Sequence, residues 1–367
     1  MATSLRYEPD YAVEPGRSLR STLAERGLTQ ADLAERTGLS LKHINQIAQG
    51  IAPITPETAL LFELVTDVPA RRWTALEAIY RERLARDENR DQLAGETDWL
   101  TELPLKELIS RGYVEARAAK PKQVEQACRF FGVANPERWR QVWLSQLTPL
   151  VSFRQSASFA ADAGAVATWL RLGELEAIEI PTEPFDAKRF RRALAKARSL
   201  TLLEPRVALK RLKKLCADAG VAVVYLSDIG GTRAGGAARW LTPQKALIQL
   251  SDRGKAEDRF WFTFFHEAAH LLLHSKKELF VSDDDVLNAT EKREQEANAF
   301  ASAQLVPRSY QDDLGRLRTD ADIVEFAEQL GIAPGIVVGR LHNDKKWDWK
   351  RGNRLIRRIS FADLFGG

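Results

Sequence analysis

The chain has 367 residues, 44% hydrophobic and 28% charged, with a formal net charge of +4. That length allows about two or three domains with separate cores, and the composition is ordinary for a soluble globular protein. No apolar run reaches the length of a membrane span, Met1 to Asp10 lack the apolar core of a signal peptide, and Cys128 and Cys216 stand too far apart to suggest a disulfide framework, so the expected location is cytoplasmic with reduced thiols.

Residues 14–90 read as a compact helical domain. Arg17 to Glu25 carries Leu19, Leu23 and Ala24 at helical spacing and stops at Gly27. Thr29-Gln30-Ala31-Asp32 opens a second helix with a capping hydroxyl and an acid three residues later. Gly38 supplies a turn that accepts positive φ, and Ser40 starts a third helix with Ile44 and Ile47 on its inner face. Ala34 is small enough to let two helices cross closely. This is helix-turn-helix spacing, and the third helix offers Ser40, Lys42, His43, Asn45, Gln46 and Gln49 to bases and phosphates. The charge runs against tight DNA binding by one copy: Glu14 to Asp67 contains five Lys or Arg against seven Asp or Glu. Operator DNA is the expected partner only with help from Arg71, Arg72 or a second subunit, and a homodimer suits half-sites read in pairs.

Residues 91–200 form a helical middle region divided by Pro104, Pro121, Pro136, Pro149 and Pro181, with Trp99, Trp139, Trp143 and Trp169 as core or interdomain anchors. No chemistry-bearing motif occurs there. Basic residues concentrate in two places, eleven against two acids from Phe185 to Leu215 and seven against two from Leu341 to Arg358. Both fit either a solvated face or a surface for nucleic acid or an acidic protein. From Pro205 an amphipathic helix leads to a buried strand at Val221 to Leu226. Gly230, Gly231, Gly235 and Gly236 bracket a turn before two more strands at Ala237 to Leu241 and Ala246 to Leu250. The expected class is α+β, predominantly α.

His266-Glu267-Ala268-Ala269-His270 follows, flanked by Phe260 to Phe265 and Leu271 to Leu273. On a buried helix this places two imidazoles one turn apart beside a carboxylate, the local geometry of a catalytic zinc site. Such a site needs three protein ligands and one open position for water. His274, Asp283, Asp284, Asp285, Glu291, Glu294 and Glu296 are the candidates for the third ligand. His274 lies a further turn along, about 5 Å away in rise, and suits a supporting place better than simultaneous coordination. At about 100° per residue, Glu294 shares the apolar face of the next helix with Ala297 and Ala301 while Glu296 turns toward its edge, so Glu294 is preferred. A structural zinc closed by His274 or Asp284 is the competing geometry.

The run Phe262 to His274, with Glu294-Gln295-Glu296-Ala297-Asn298-Ala299-Phe300-Ala301, Leu305-Val306-Pro307 and Gly331 to Leu341, resembles the ImmA/IrrE metallopeptidases. The N-terminal stretch, with Pro15-Gly16, Gly27-Leu28-Thr29-Gln30 and Ile54 to Ala59, resembles HigA-type antitoxins of the XRE helix-turn-helix group. The resemblance implies a zincin-like metallopeptidase domain over residues 201–345, followed by a basic tail at 346–367. It implies Zn2+ held by His266, His270 and Glu294, with Glu267 as general base for peptide hydrolysis. Its substrate would be a repressor-like regulatory protein, added as an extended segment to the strand before the helix. The alternative is a HigA-like antitoxin or transcriptional repressor with a toxin partner, whose zinc domain senses or binds without proteolysis. Tyr225, Tyr310 and His342 are candidates to stabilise an oxyanion, each also suited to a structural place.

Overall fold

The computed structural model describes residues 14–145, 157–230, 232–274, 280–283 and 292–365. Two compact units divide the chain, one of residues up to Thr97 with Lys120–Lys122, the other of Asp98–Ala119 and Gln123 onward. Among the described residues no helix is long and apolar enough to cross a membrane.

The first unit holds α1 (Pro15–Glu25), α2 (Gln30–Thr37), α3 (Leu41–Ala48), α4 (Pro56–Thr66) and α5 (Ala70–Ala94) around Leu19, Leu33, Ile44, Phe62 and Trp73. The Thr29 hydroxyl accepts from the Asp32 amide at 3.1 Å while the Asp32 carboxylate accepts from the Thr29 amide at 2.7 Å, a reciprocal cap. Gly38 ends α2 at φ 73°, and Ser40 Oγ caps α3 by accepting from the His43 amide at 3.1 Å. One further constraint lies in α1. A Cβ on Gly16 would fall 2.3 Å from the Ala48 carbonyl oxygen, so the approach of α1 to α3 admits only glycine there.

The second unit begins with helices α6 (Leu105–Ser110), α7 (Lys120–Phe131, less its first three residues) and α8 (Pro136–Trp139), the last running on into a π turn at Arg140–Leu144. Trp99, Phe131, Trp139 and Trp143 pack mostly edge-on, with ring centroids 5.5 to 6.2 Å apart. The long α9 (Ala157–Glu179) then covers one face of a four-stranded sheet, β1 (Val221–Tyr225), β2 (Ala234–Thr242), β3 (Lys245–Leu250) and β4 (Phe280–Asp283). The fully buried Gln249 donates to the Trp169 carbonyl at 2.7 Å, and Trp169 Nε1 donates to the Leu226 carbonyl at 3.3 Å, fixing α9 to that face. On the other face lie α10 (Ala187–Leu200), α11 (Pro205–Ala217) and α12 (Glu257–Leu273), with α13 (Lys292–Leu305), α14 (Asp320–Leu330), α15 (Pro334–Asn343) and α16 (Phe361–Phe365) completing the core.

Strand order is β1-β3-β2-β4, with β1 parallel to β3 and the other pairs antiparallel. Two expectations change. Gly235 and Gly236 belong to β2 rather than to a turn, because a glycine leaves no alternation to read; Gly231 lies outside the described residues. β3, the strand before the metal-site helix, is hydrogen-bonded on both sides and has no free edge for a substrate. Cys128 and Cys216 are both buried, and neither forms a disulfide.

The basic segment after residue 345 is folded onto this unit through residue 365 rather than trailing from it, with Trp347, Ile359 and Phe361 buried. Its anchor is Arg357. The Glu257 carboxylate at the start of α12 accepts from the Arg357 amide at 2.9 Å and from its Nε at 2.7 Å, while the same guanidinium donates to the Leu203 carbonyl at 2.7 Å and to that of Thr201. Glu257 is 1% exposed, so removing its charge strands a half-buried guanidinium. We expect Glu257→Gln to destabilise the second unit by about 3 kcal/mol in denaturant unfolding, against less than about 0.5 kcal/mol for Lys214→Ala at an exposed pair. Equal effects of the two substitutions would contradict this reading.

Candidate metal centre

α12 is apolar on nearly all sides and buried from Phe264 to Leu271, so every polar group along this stretch needs a partner inside the protein. Its first turn carries Glu257 and Asp258, favourably placed at the positive end of the helix dipole. Ala268 and Ala269 on α12 and Ala297 and Ala301 on α13 are wholly buried, and their small size lets the two helices pack closely.

That approach brings His266, His270 and Glu294 together, with one ligand atom from each lying within 4.8 Å of the others. The two Nε2 atoms stand 2.9 Å apart, and the Glu294 carboxylate lies 3.1 Å from that of His266 and 3.4 Å from that of His270. Each imidazole is held from behind. His266 Nδ1 meets Asn298 Oδ1 at 2.9 Å, which can only accept, so that nitrogen carries a proton. His270 Nδ1 meets His274 Nδ1 at 2.9 Å, and His274 Nε2 donates to Glu296 Oε2 at 3.2 Å. With its Nε2 protonated, neutral His274 offers its Nδ1 lone pair to the Nδ1–H of His270. Both ligand histidines thereby present Nε2 lone pairs to the same point, the arrangement a metal requires of its imidazoles.

The metal-free electrostatics describe a site built for one cation. Burial disfavours charging at His266, yet the hydrogen bond to Glu294 and the charges of Glu267 and Glu294 outweigh it and hold its pKa above the usual imidazole range. Burial, followed by His266 and His274, pushes His270 down to about 2. The converging donors thus favour positive charge at the point where two nitrogens and a carboxylate meet, and a divalent cation fits the same N, N, O donors.

Glu267 is wholly buried on the same helix. It leans on β2 at Gly236, where a Cβ would come within 2.9 Å of its Cγ and Oε1, so glycine at this position makes room for the carboxylate. Neither Gly236 nor Asn298 stands out from residue type, because one acts through lack of a side chain and the other is an ordinary helix-surface residue until α12 lies beside it. Glu296 and His274 sit behind His270 rather than in the ligand cluster, so His274 does not close the site as a fourth ligand. Asp284, Asp285 and Glu291 lie outside the described residues, and Asp283 ends β4. Tyr225 donates to the Leu209 carbonyl at 2.8 Å in the core, His342 meets the Arg351 carbonyl at 2.8 Å, and Tyr310 packs on Phe326. These contacts give each a structural place.

In the first unit, Ser40, Lys42 and Asn45 are exposed while His43 and Gln46 are half-buried along α3. Ile44 and Ile47 on the opposite side are buried, so the polar face of α3 is free to meet a partner.

Comparison with curated proteins returns no match. Family models do match. Residues 19–73 fit the helix-turn-helix family, and residues 216–342 fit the peptidase M78 family, described as the IrrE N-terminal-like domain. The chain thus joins an N-terminal helix-turn-helix of the XRE type to a C-terminal ImmA/IrrE-like domain, in a predominantly helical α+β architecture.

Proposed function

We propose that this protein is a zinc-dependent endopeptidase that acts as a regulator, with a helix-turn-helix that recognises DNA and a repressor-like protein as substrate. The observation that carries the reading is the convergence of two imidazole Nε2 atoms and one carboxylate beside the buried Glu267. Zinc held by His266, His270 and Glu294 supplies Lewis acidity, lowering the pKa of a water and polarising a peptide carbonyl. Glu267 takes the proton from the attacking water and returns it to the leaving amine. Asn298 and the His274–Glu296 pair keep both imidazoles in the tautomer that faces the cation. Since β3 is internal, an extended substrate has to add at a sheet edge, and among the described residues β4 forms the edge next to β2. The buried Glu267 favours hydrolysis over the alternative of an antitoxin or repressor whose zinc domain only senses, because a sensing site has no need of a proton acceptor enclosed beside its ligands.

Three outcomes are expected. The purified protein holds one zinc per chain by elemental analysis; His266→Ala, His270→Ala and Glu294→Ala each lose it, and Glu296→Ala keeps it. Because the His266 pKa is raised, protons compete with zinc for that nitrogen, so zinc affinity falls as pH drops through that pKa and levels off above it. A zinc titration that is flat across the imidazole range contradicts the assignment. Second, Glu267→Gln retains zinc and loses about 10²- to 10⁴-fold in cleavage of a co-expressed repressor substrate trapped by this variant; wild-type cleavage by the Gln form removes proteolysis from the account. Third, DNA selected from random duplexes by the wild-type protein is bound about 10-fold or more weakly by Asn45→Ala, through removal of a base interaction worth about 1–3 kcal/mol, and normally by Glu267→Gln. Selection of the same sequences by Asn45→Ala would remove α3 as the reading helix.

A further inference from the structure

The two basic regions of the sequence have different fates in the fold. In the C-terminal region the arginines are used internally: Arg351 donates to the Arg318 carbonyl, Arg354 pairs with Asp320, Arg357 with Glu257 and Arg358 with Asp363. The α10–α11 hairpin keeps its charge outward. Lys188, Arg192 and Lys196 recur at a spacing of four along α10, and Arg206, Lys210 and Arg211 follow on α11; all six are exposed, and none has a carboxylate within ion-pair distance among the described residues. Residues four apart share one face of a helix, so the α10 set forms a row.

The two acids within this stretch sit at the helix starts, with Asp186 also interacting with Arg192, and leave the rest of the row without a carboxylate partner. Asp186 accepts from the Arg189 amide at 2.6 Å, and Glu204 accepts from the amides of Arg206 and Val207 at 3.1 and 3.2 Å, so each caps its helix, and two negative charges face eleven positive ones over Phe185 to Leu215. The hairpin is also firmly held. Ala193, Ala197, Leu209 and Leu212 are buried between and beneath the helices, and Arg357 grips the carbonyls of the connecting turn. A row of exposed cations on a well-packed hairpin faces solvent.

We propose that the outer face of α10 and α11 is a binding surface for the phosphate backbone of duplex DNA. A protein partner would be anchored by buried aromatic or large apolar side chains, and the row carries none; the exposed apolar residues of the hairpin, Leu202 in the turn and Val207 in the first turn of α11, lie outside it. A polyanion recognised by charge alone needs no such anchor. From Glu14 to Asp67 the helix-turn-helix carries five basic residues against seven acidic ones, with Arg71 and Arg72 exposed just beyond it, and the hairpin adds a denser set of cations elsewhere in the same chain. The proposal rests on the reading of this protein as a DNA-binding regulator and adds a second, sequence-independent anchor to it.

The test measures binding of the full-length zinc-loaded protein to a labelled 30-base-pair duplex of random sequence, by fluorescence anisotropy between 50 and 200 mM KCl. The quadruple variant Arg192→Gln, Lys196→Gln, Lys210→Gln and Arg211→Gln should reduce the slope of log affinity against log salt by about 3 to 4, close to 0.9 for each phosphate that is no longer neutralised. The control Lys345→Gln, Lys346→Gln and Lys350→Gln removes exposed charge elsewhere and should leave the slope within about 1 of wild type. An unchanged slope in the quadruple variant, an equal fall in the control, or no binding by the wild type overturns the proposal. So does a quadruple variant that binds DNA normally but loses affinity for poly-glutamate, which would assign the surface to an acidic protein. The helix-turn-helix reading is judged separately by sequence selection: a quadruple variant that still enriches the wild-type sequences preserves it even when the hairpin proposal fails.

Discussion

Three donor atoms from two helices converge on one point in the protein interior, and their arrangement favours positive charge there. Two imidazole nitrogens 2.9 Å apart cannot both carry a proton directed at the other, and a largely buried carboxylate beside them adds negative charge. Much of the second unit follows from satisfying this constraint. The alanines of α12 and α13 let the helices close; Asn298, His274 and Glu296 hold the rings; and Gly236 gives Glu267 a place against the sheet. The start of α12 is fixed as firmly, by an ion pair between residues 100 positions apart that also ties down the turn between α10 and α11.

Charge in this chain is distributed by use. Where an arginine faces a carboxylate or a backbone carbonyl, it joins pieces of the fold, as Arg357 and Arg239 do; Arg239 donates to the Leu170 carbonyl and the Glu174 carboxylate, both at 3.0 Å. Where basic residues far outnumber the acids, as on the outer face of α10 and α11, charge remains available to a partner. The small helical unit shows a different balance: α3 is polar and well capped, and Glu14 to Asp67 carries seven acids against five basic residues. Recognition of bases and attraction to phosphate are therefore separable demands, and a chain with two units can meet them in different places.

What could be read in the sequence was what acts locally. The His266–His270 pair is visible because one helical turn relates its members, and Glu294 could be preferred over Glu296 because steps of about 100° place it with Ala297 and Ala301. The Thr29 and Ser40 caps and the Gly38 turn are likewise set by neighbours three or four residues away. The remainder depends on distant contacts. Gly236 looks like a turn residue until α12 is laid across β2, and β4 is too short to show a period. The strand before α12 reads as open to substrate because a sequence does not state strand order; placing β3 between β1 and β2 closes it. Likewise, the two basic regions are equivalent by composition and differ only in which carboxylates the fold brings to them.

The central claim is that α12 and α13 build one zinc site from two imidazoles and one carboxylate, leaving a position open. X-ray absorption at the zinc edge of the purified protein tests it most directly. The account predicts a four-coordinate site of nitrogen and oxygen ligands only, with two imidazoles at about 2.0–2.1 Å, unchanged in Glu267→Gln and altered in Glu294→Gln. A spectrum with sulfur, with three or more imidazoles, or one that Glu294→Gln leaves as it was would contradict it.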